Sequence, residues 1–251
     1  MKFRLKAFGF HLLGSACFMA LVLGAFYLGW YRWPGWYLAG ASTIALMMLG
    51  FDVVLGPLLT FVVANPGKPR RELARDIGII CCVQIIAAGY GATTLWNGRV
   101  LYYVYSQRFL EIVQASDLDA GQVALGRKLD PEFAPHWYSL PRWIYAPLPK
   151  DENLQKQIVT GAITGGDDVI QMPRYYQPWE KALPRLRSEL KVVDKMTEFS
   201  VKEKKTLKQR MEERHLDPNQ PIAIPMMGRV RPLLAVIDPQ SVRITALIRA
   251  D

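Results

Sequence analysis

Residues Phe51–Thr60 read FDVVLGPLLT, and this stretch decides the fold. It lies inside an apolar run from Trp36 to Ala64 whose only charged side chain is Asp52. A carboxylate near the middle of a membrane-length segment costs roughly 2.5–3.5 kcal/mol even on the milder insertion scales. One helical turn later, Gly56-Pro57 removes a backbone N–H and opens the helix ladder beside Asp52. An acid, a flexible residue and a helix breaker within six positions point to a built polar site. Two readings stay open: a protonated Asp that joins a helix bundle by hydrogen bonding, or a built functional site.

Working outward, Lys2, Arg4 and Lys6 precede a run without Asp, Glu, Lys or Arg from Ala7 to Tyr31. Its length exceeds a signal-peptide core, which predicts an uncleaved transmembrane helix. Trp30, Tyr31, Trp33, Trp36 and Tyr37 crowd around Pro34-Gly35, as amphipathic aromatics do where a chain turns at a membrane interface. The polar loop 65–76, NPGKPRRELARD, separates the second span from a third that carries Gln84 and the small residues Ala87, Ala88, Gly89 and Gly91. The expected spans are therefore about 7–31, 36–64 and 77–96. The N-terminus and the 65–76 loop hold seven Lys/Arg, whereas the 32–35 turn holds only Arg32. By the positive-inside rule the N-terminus is cytoplasmic and everything after Trp96 lies outside the cytoplasm.

The net charge of +9 is shared between two unlike parts. Residues 1–97 are apolar, with basic residues clustered beside the spans. Residues 98–251 interleave bases with acids, so the charge does not mark a nucleic-acid binder. All three cysteines (Cys17, Cys81 and Cys82) fall in apolar segments, and the polar part has no disulfide framework. The predicted division is 1–97, a transmembrane domain, and 98–251, a small α+β extracytoplasmic domain.

Within that second part, Arg99–Val113 is rich in Val, Tyr and Phe and predicts one or two strands. The five prolines between 131 and 149 predict a loop, with His136, Trp137, Tyr138, Trp143 and Tyr145 packed on a core. Asp151 caps a helix that Gly165-Gly166 closes, and Ser200-Val-Lys-Glu203 matches a capping box that starts a basic helix. Leu233–Ile237, a turn at Asp238-Pro239-Gln240, and 242–248 predict a terminal hairpin. There Val242, Ile244, Ala246 and Ile248 face inward.

Chemistry beyond this is sparse. His11, His136 and His215 have no metal-ligand spacing, and neither a phosphate loop nor a nucleophile elbow is present. No catalytic residue, metal or cofactor is expected. Paired acids at Asp167-Asp168 and the bases from Lys202 to Arg214 read as solvated. The candidate site is Asp52, Gly56, Pro57 and Gln84, either as a client-binding or as a helix-bundle polar site. Counted from the cytoplasmic ends of their spans at 1.5 Å per residue, Asp52 lies about 18 Å deep and Gln84 about 11 Å, so Gln84 reaches Asp52 if the helices tilt or the Gly56-Pro57 region bends, a loose fit that leaves room for a client group. His11 lies shallower and is not expected to pair with Asp52.

In order along the chain, FHLLGS (10–15), FDVVLGPLLTFVV (51–63), Gln84 with Tyr90-Gly91, SQRFLEIVQASDLD (106–119), GGDD before PRYYQP (165–178) and IPMMGRVRPLLAVIDP (224–239) resemble the inner-membrane accessory proteins of type IV pilin systems. The resemblance implies a non-enzymatic protein of the bacterial inner membrane that assists folding, stability or assembly of a cognate type IV major pilin. The client would have an apolar helix in the bilayer and a head outside, and Asp52 would receive a polar element of that helix. Two other readings remain: a membrane-anchored sensor or subunit of another envelope complex, and a membrane enzyme that uses Asp52.

Overall fold

A computed structural model of the chain describes residues 1–241 and 243–251. Among these, three helices are long and apolar enough to cross a membrane: α1 (Lys2–Gly29), a middle span over Ala41–Val63, and a third over Arg70–Asn97. A mixed α/β part follows. The chain forms two compact units, Met1–Arg32 with Gly40–Gly98, and Trp33–Ala39 with Arg99–Asp251.

In the first unit, α1 runs without interruption because nothing between Ala7 and Gly29 breaks it. The middle span is built in three pieces: α3 (Ala41–Leu49), a π-helical turn (Gly50–Leu55) and α4 (Gly56–Val63). Between α1 and α3 lies the short helix α2 (Gly35–Leu38). The third span is α5 (Arg70–Asn97), which starts directly after Pro69. The first and third spans pack mainly on the middle one and touch each other little. Where they do meet, the Tyr31 hydroxyl donates to the Leu95 carbonyl at 2.7 Å, and Trp30 packs edge-on to Trp96 at 5.1 Å between centroids.

The helices begin earlier than the charge pattern predicts, since α1 opens with Lys2 and α5 with Arg70. Charged residues are good helix formers, so helix ends and hydrophobic boundaries do not coincide. The start of the middle span differs in the other direction. Trp33–Ala39, partly assigned to the second span from the sequence, belongs to the second unit. Leu38 is fully buried there among Tyr103, Leu233 and Ala235. Its carbonyl accepts from the Arg229 N–H at 2.8 Å, and Arg231 and Arg249 lie over the Tyr37 ring. Hydropathy cannot tell a Leu bound for lipid from one bound for a protein core, which is why 98–251 lacks a piece that comes from upstream.

The second unit is an α+β domain around a seven-stranded sheet, with strands β1 (Val100–Ser106), β2 (Phe109–Gln114), β3 (Arg142–Tyr145), β4 (Gln177–Pro178), β5 (Ala223–Met227), β6 (Leu233–Ile237) and β7 (Ile244–Arg249) in the spatial order β4-β3-β1-β2-β5-β6-β7. β1 and β2 form a hairpin across Gln107-Arg108, with Gln107 at φ 51°. β1–β3 and β2–β5 are parallel, and the remaining pairs are antiparallel. The helices are α6 (Ala120–Leu129), α7 (Glu152–Ile163), α8 (Leu183–Glu189) and α9 (Val201–Glu212). Asp151 caps α7 by accepting from the N–H groups of Asn153 and Leu154, and Gly165, at φ 92°, ends it. Gly166 N–H reaches back to Gly161 O at 2.8 Å and Gly165 N–H to Ala162 O, which is a Schellman closure. The reciprocal box between Ser200 and Glu203 opens α9 and holds the Glu203 carboxyl below the usual range.

Two expectations change here. The Pro-rich stretch contributes a strand, β3, because its run RWIY lies between prolines rather than on them. Trp137 and Tyr138 at its start are exposed rather than packed on the core. The terminal hairpin is present as β6–β7, but β6 is buried along its whole length. One face of the sheet carries Tyr103, Leu110, Ile224 and Leu233; the other carries Val236, Leu234 and Ile248 against α9 residues Leu207 and Met211. With both faces covered, Leu247 is partly buried too, and the inward–outward alternation blurs. Val242, expected in the last strand, lies outside the described residues.

Candidate functional site

The π turn explains how the FDVVLGPLLT stretch makes a site. Its closing bond runs from Gly56 N–H to Phe51 O, five residues back, so Gly56 does not serve the Asp52 carbonyl. The next N–H in that pattern would belong to Pro57, which has none. Within the helix the Asp52 carbonyl is therefore left over, and an unpaired carbonyl in a membrane segment is costly. The Gln84 side chain of α5 supplies the missing donor, with Nε2 to Asp52 O at 2.9 Å. It comes this close because residue 56 is Gly: a Cβ there would sit 2.0 Å from Gln84 Nε2.

That bond fixes the polarity of everything attached to it. A carbonyl only accepts, so Gln84 presents nitrogen to Asp52 and turns Oε1 to His11. His11 Nε2–H donates to Oε1 at 2.8 Å. With the ring proton on Nε2, Nδ1 accepts from the Thr60 hydroxyl at 2.5 Å. One chain of hydrogen bonds thus joins α1, the π turn, α4 and α5.

The Asp52 carboxylate stands apart from this chain. Asp52 is only 3% exposed, yet its Oδ2 has no hydrogen-bond partner among the described residues. It lines a cavity of about 590 Å³ that is open on one side, together with Ala7, His11, Ser15, Thr60 and Gln84. The cavity follows the seam between α1 and α5.

Of the residues singled out from sequence, Asp52, Gly56 and Gln84 meet at one place, while Pro57 is buried beside them and acts through its missing N–H. Gln84 reaches the Asp52 backbone, not the carboxylate. His11, too shallow by depth to pair with Asp52, enters through Gln84 and Thr60 instead. Thr60 stands outside the set expected from sequence. A signal for His11 was available: His11, Gly14, Ser15 and Phe18 fall at i, i+3, i+4 and i+7, one helical face that is polar or small at three positions.

Removing the amide should show what the chain of bonds contributes. Gln84→Leu deletes two partly buried hydrogen bonds, each worth about 0.6–2 kcal/mol between membrane helices. Thermal unfolding of the full-length protein in detergent should shift down measurably, while Gln84→Glu, which can still accept from His11, should shift it less. Equal melting of Gln84→Leu and wild type would rule out a structural role for the bonds.

In the second unit, two smaller polar cavities flank Glu111 on β2. One, of about 150 Å³, is lined by Asp117, Gln171 and Arg229; the other, of about 420 Å³, by Arg108, Asp168, Arg185 and Glu189. Burial, and then the charge of Asp168, raises the Glu111 carboxyl above its ordinary range. Asp168 caps the turn after it through Val169 N–H, and Asp167 accepts from Gln122, so neither acid of the pair is merely solvated.

Fold and site together define a three-span membrane protein with an α+β domain and a groove in its membrane unit that encloses one buried acid. Comparison with known proteins specifies the class. A protein named fimbrial assembly protein, serogroup I, from Dichelobacter nodosus is 25% identical over 253 residues, covering 99% of this chain and 96% of the relative. The serogroup E1 protein of the same organism is 24% identical over the same extent. That named for serogroups C1 and C2 is 31% identical over 116 residues, 46% of this chain and 88% of the relative. No family model and no solved structure matches the chain. The chain belongs to the family of fimbrial assembly proteins, in agreement with the type IV pilin accessory resemblance of its motifs.

Proposed function

We propose that this protein is a non-enzymatic accessory of type IV pilus assembly that handles a pilin subunit at the inner membrane before the subunit enters the pilus. The observation that carries the reading is the likeness to fimbrial assembly proteins along 99% of the chain, which includes both units rather than one shared domain. The groove in the membrane unit supports it, because a subunit with an apolar helix needs a protein surface inside the bilayer. The charge of the short loops supports a periplasmic α+β unit, on the side of the membrane where the subunit's head would be.

Deleting the gene should remove or strongly reduce surface pili, and the wild-type gene in trans should restore them. Pilin level, followed by immunoblot in the same strains, distinguishes protection of the subunit from promotion of assembly. Unchanged piliation in the deletion strain would overturn the proposal.

The topology has its own test. Alkaline phosphatase fused after Asn97 or Asp251 should be active, and fused at Pro69 inactive. Inactive fusions at both outer positions would invert the arrangement and remove the periplasmic part of the reading.

A further inference from the structure

We propose that the seam between α1 and α5 is a docking groove for one transmembrane helix of the client, and that this helix presents a cationic hydrogen-bond donor to the Asp52 carboxylate. The proposal deepens the assembly reading and rests on it only for the identity of the client.

The groove has the form of a helix seat. On α1 it is lined by Ala7, Phe10, His11, Gly14, Ser15 and Phe18, and on α5 by Ile77, Cys81, Gln84 and Ile85. Both sets follow helical spacing, so each helix turns one stripe to the groove. From Ala7 to Phe18 the stripe covers three turns, about 17 Å at 1.5 Å per residue. Ala7, Gly14 and Ser15 are small, which permits the close backbone approach that drives helix association in lipid. A volume of about 590 Å³ accommodates the side chains of one helix face.

The floor decides the chemistry of the occupant. An apolar lining alone would suit an acyl chain as well as a helix. An acyl chain carries no donor, however, and would leave Asp52 Oδ2 as it stands: buried, lining the groove and without a partner among the described residues. Gln84 Nε2 donates to the Asp52 carbonyl and His11 Nε2 to Gln84, and neither bonds Oδ2. A donor arriving with the ligand would complete Oδ2. An acid that remains ionised inside a membrane segment is stabilised most by an opposite charge, and a cation on the arriving helix has the same need.

The test uses the full-length protein in its own membrane. A photo-cross-linking amino acid is placed at Ile85, in the groove, or at Ile79, which is exposed on α5 but does not line it. Adducts are counted per molecule of protein, with Asp52 intact or changed to Asn, a near-isostere that keeps an acceptor but loses the charge. With Asp52 intact, Ile85 should yield a protein adduct whose linked peptide is an apolar membrane segment, and Ile79 should not. Asp52→Asn should lower the Ile85 adduct about tenfold at equal abundance, the loss of roughly one charge-assisted bond. Should Asp52→Asn itself deplete the protein, counting per molecule keeps the comparison valid. An undiminished adduct in Asp52→Asn would overturn the cationic donor, and lipid adducts alone, or equal adducts from Ile79, would overturn the groove. Either failure alongside pilus loss on gene deletion leaves the assembly reading intact, whereas normal piliation on deletion removes that reading first.

Discussion

Deleting residues 232–251 should unfold the C-terminal unit and make it sensitive to protease in intact spheroplasts. The deletion removes β6 and β7, and β6 lies between β5 and β7 with every residue buried. Leu233, Leu234, Val236 and Ile237 contribute on the order of 6–12 kcal/mol of burial at about 1.5–3 kcal/mol each. A whole domain is stable by only about 5–15 kcal/mol, so the loss leaves nothing in reserve. The deletion also strips one wall from both cores, since Leu233 packs with Tyr103 on one face and Leu234 with Leu207 on the other. A truncated domain that still resisted protease would mean the hairpin is peripheral to the sheet, contrary to the strand order.

Gly228→Ala is the second change expected to have a large effect. A Cβ at 228 would lie 2.6 Å from the carbonyl oxygens of Leu38 and Arg231 and 2.8 Å from Leu38 Cα. These are backbone atoms and cannot swing aside as a side chain would. The segment Trp33–Ala39 must then leave its place, which exposes Leu38 and breaks the Arg229–Leu38 bond. A buried Leu is worth about 2–5 kcal/mol when deleted, and displacement of the whole segment should approach that figure. Hydrogen exchange over residues 33–39 should rise sharply in Gly228→Ala. Unchanged protection would show that the segment is not held by this contact.

Much of the fold was legible because membrane spans announce themselves by length and charge. The capped helices α7 and α9 were equally open to reading, since a cap places polar side chains at fixed offsets. Less legible was anything set by where an apolar residue ends up. Leu38 reads as the beginning of a span, and only the sheet shows that it completes a protein core. β3 was hidden by the prolines around it, although RWIY itself contains none. At the site, Asp52, Gly56, Pro57 and Gln84 stood out because polar residues and breakers are rare in apolar runs. His11 and Thr60 were missed for different reasons. His11 is judged by depth counted from the charge boundary at Ala7, and α1 begins five residues before it, at Lys2. Thr60 is common in membrane helices and carries no signal by itself. Nor could the π turn be read, since it follows from where Gly56 N–H goes once Pro57 has no N–H to give.

The central claim, that this chain handles a pilin in the membrane, is tested most directly by purifying the tagged full-length protein from cross-linked cells and identifying what is retained by mass spectrometry. The account predicts that a type IV pilin is retained with the wild-type protein, and far less of it with a control membrane protein of similar abundance. Retention of other envelope proteins without any pilin, from cells that are making pili, would contradict it.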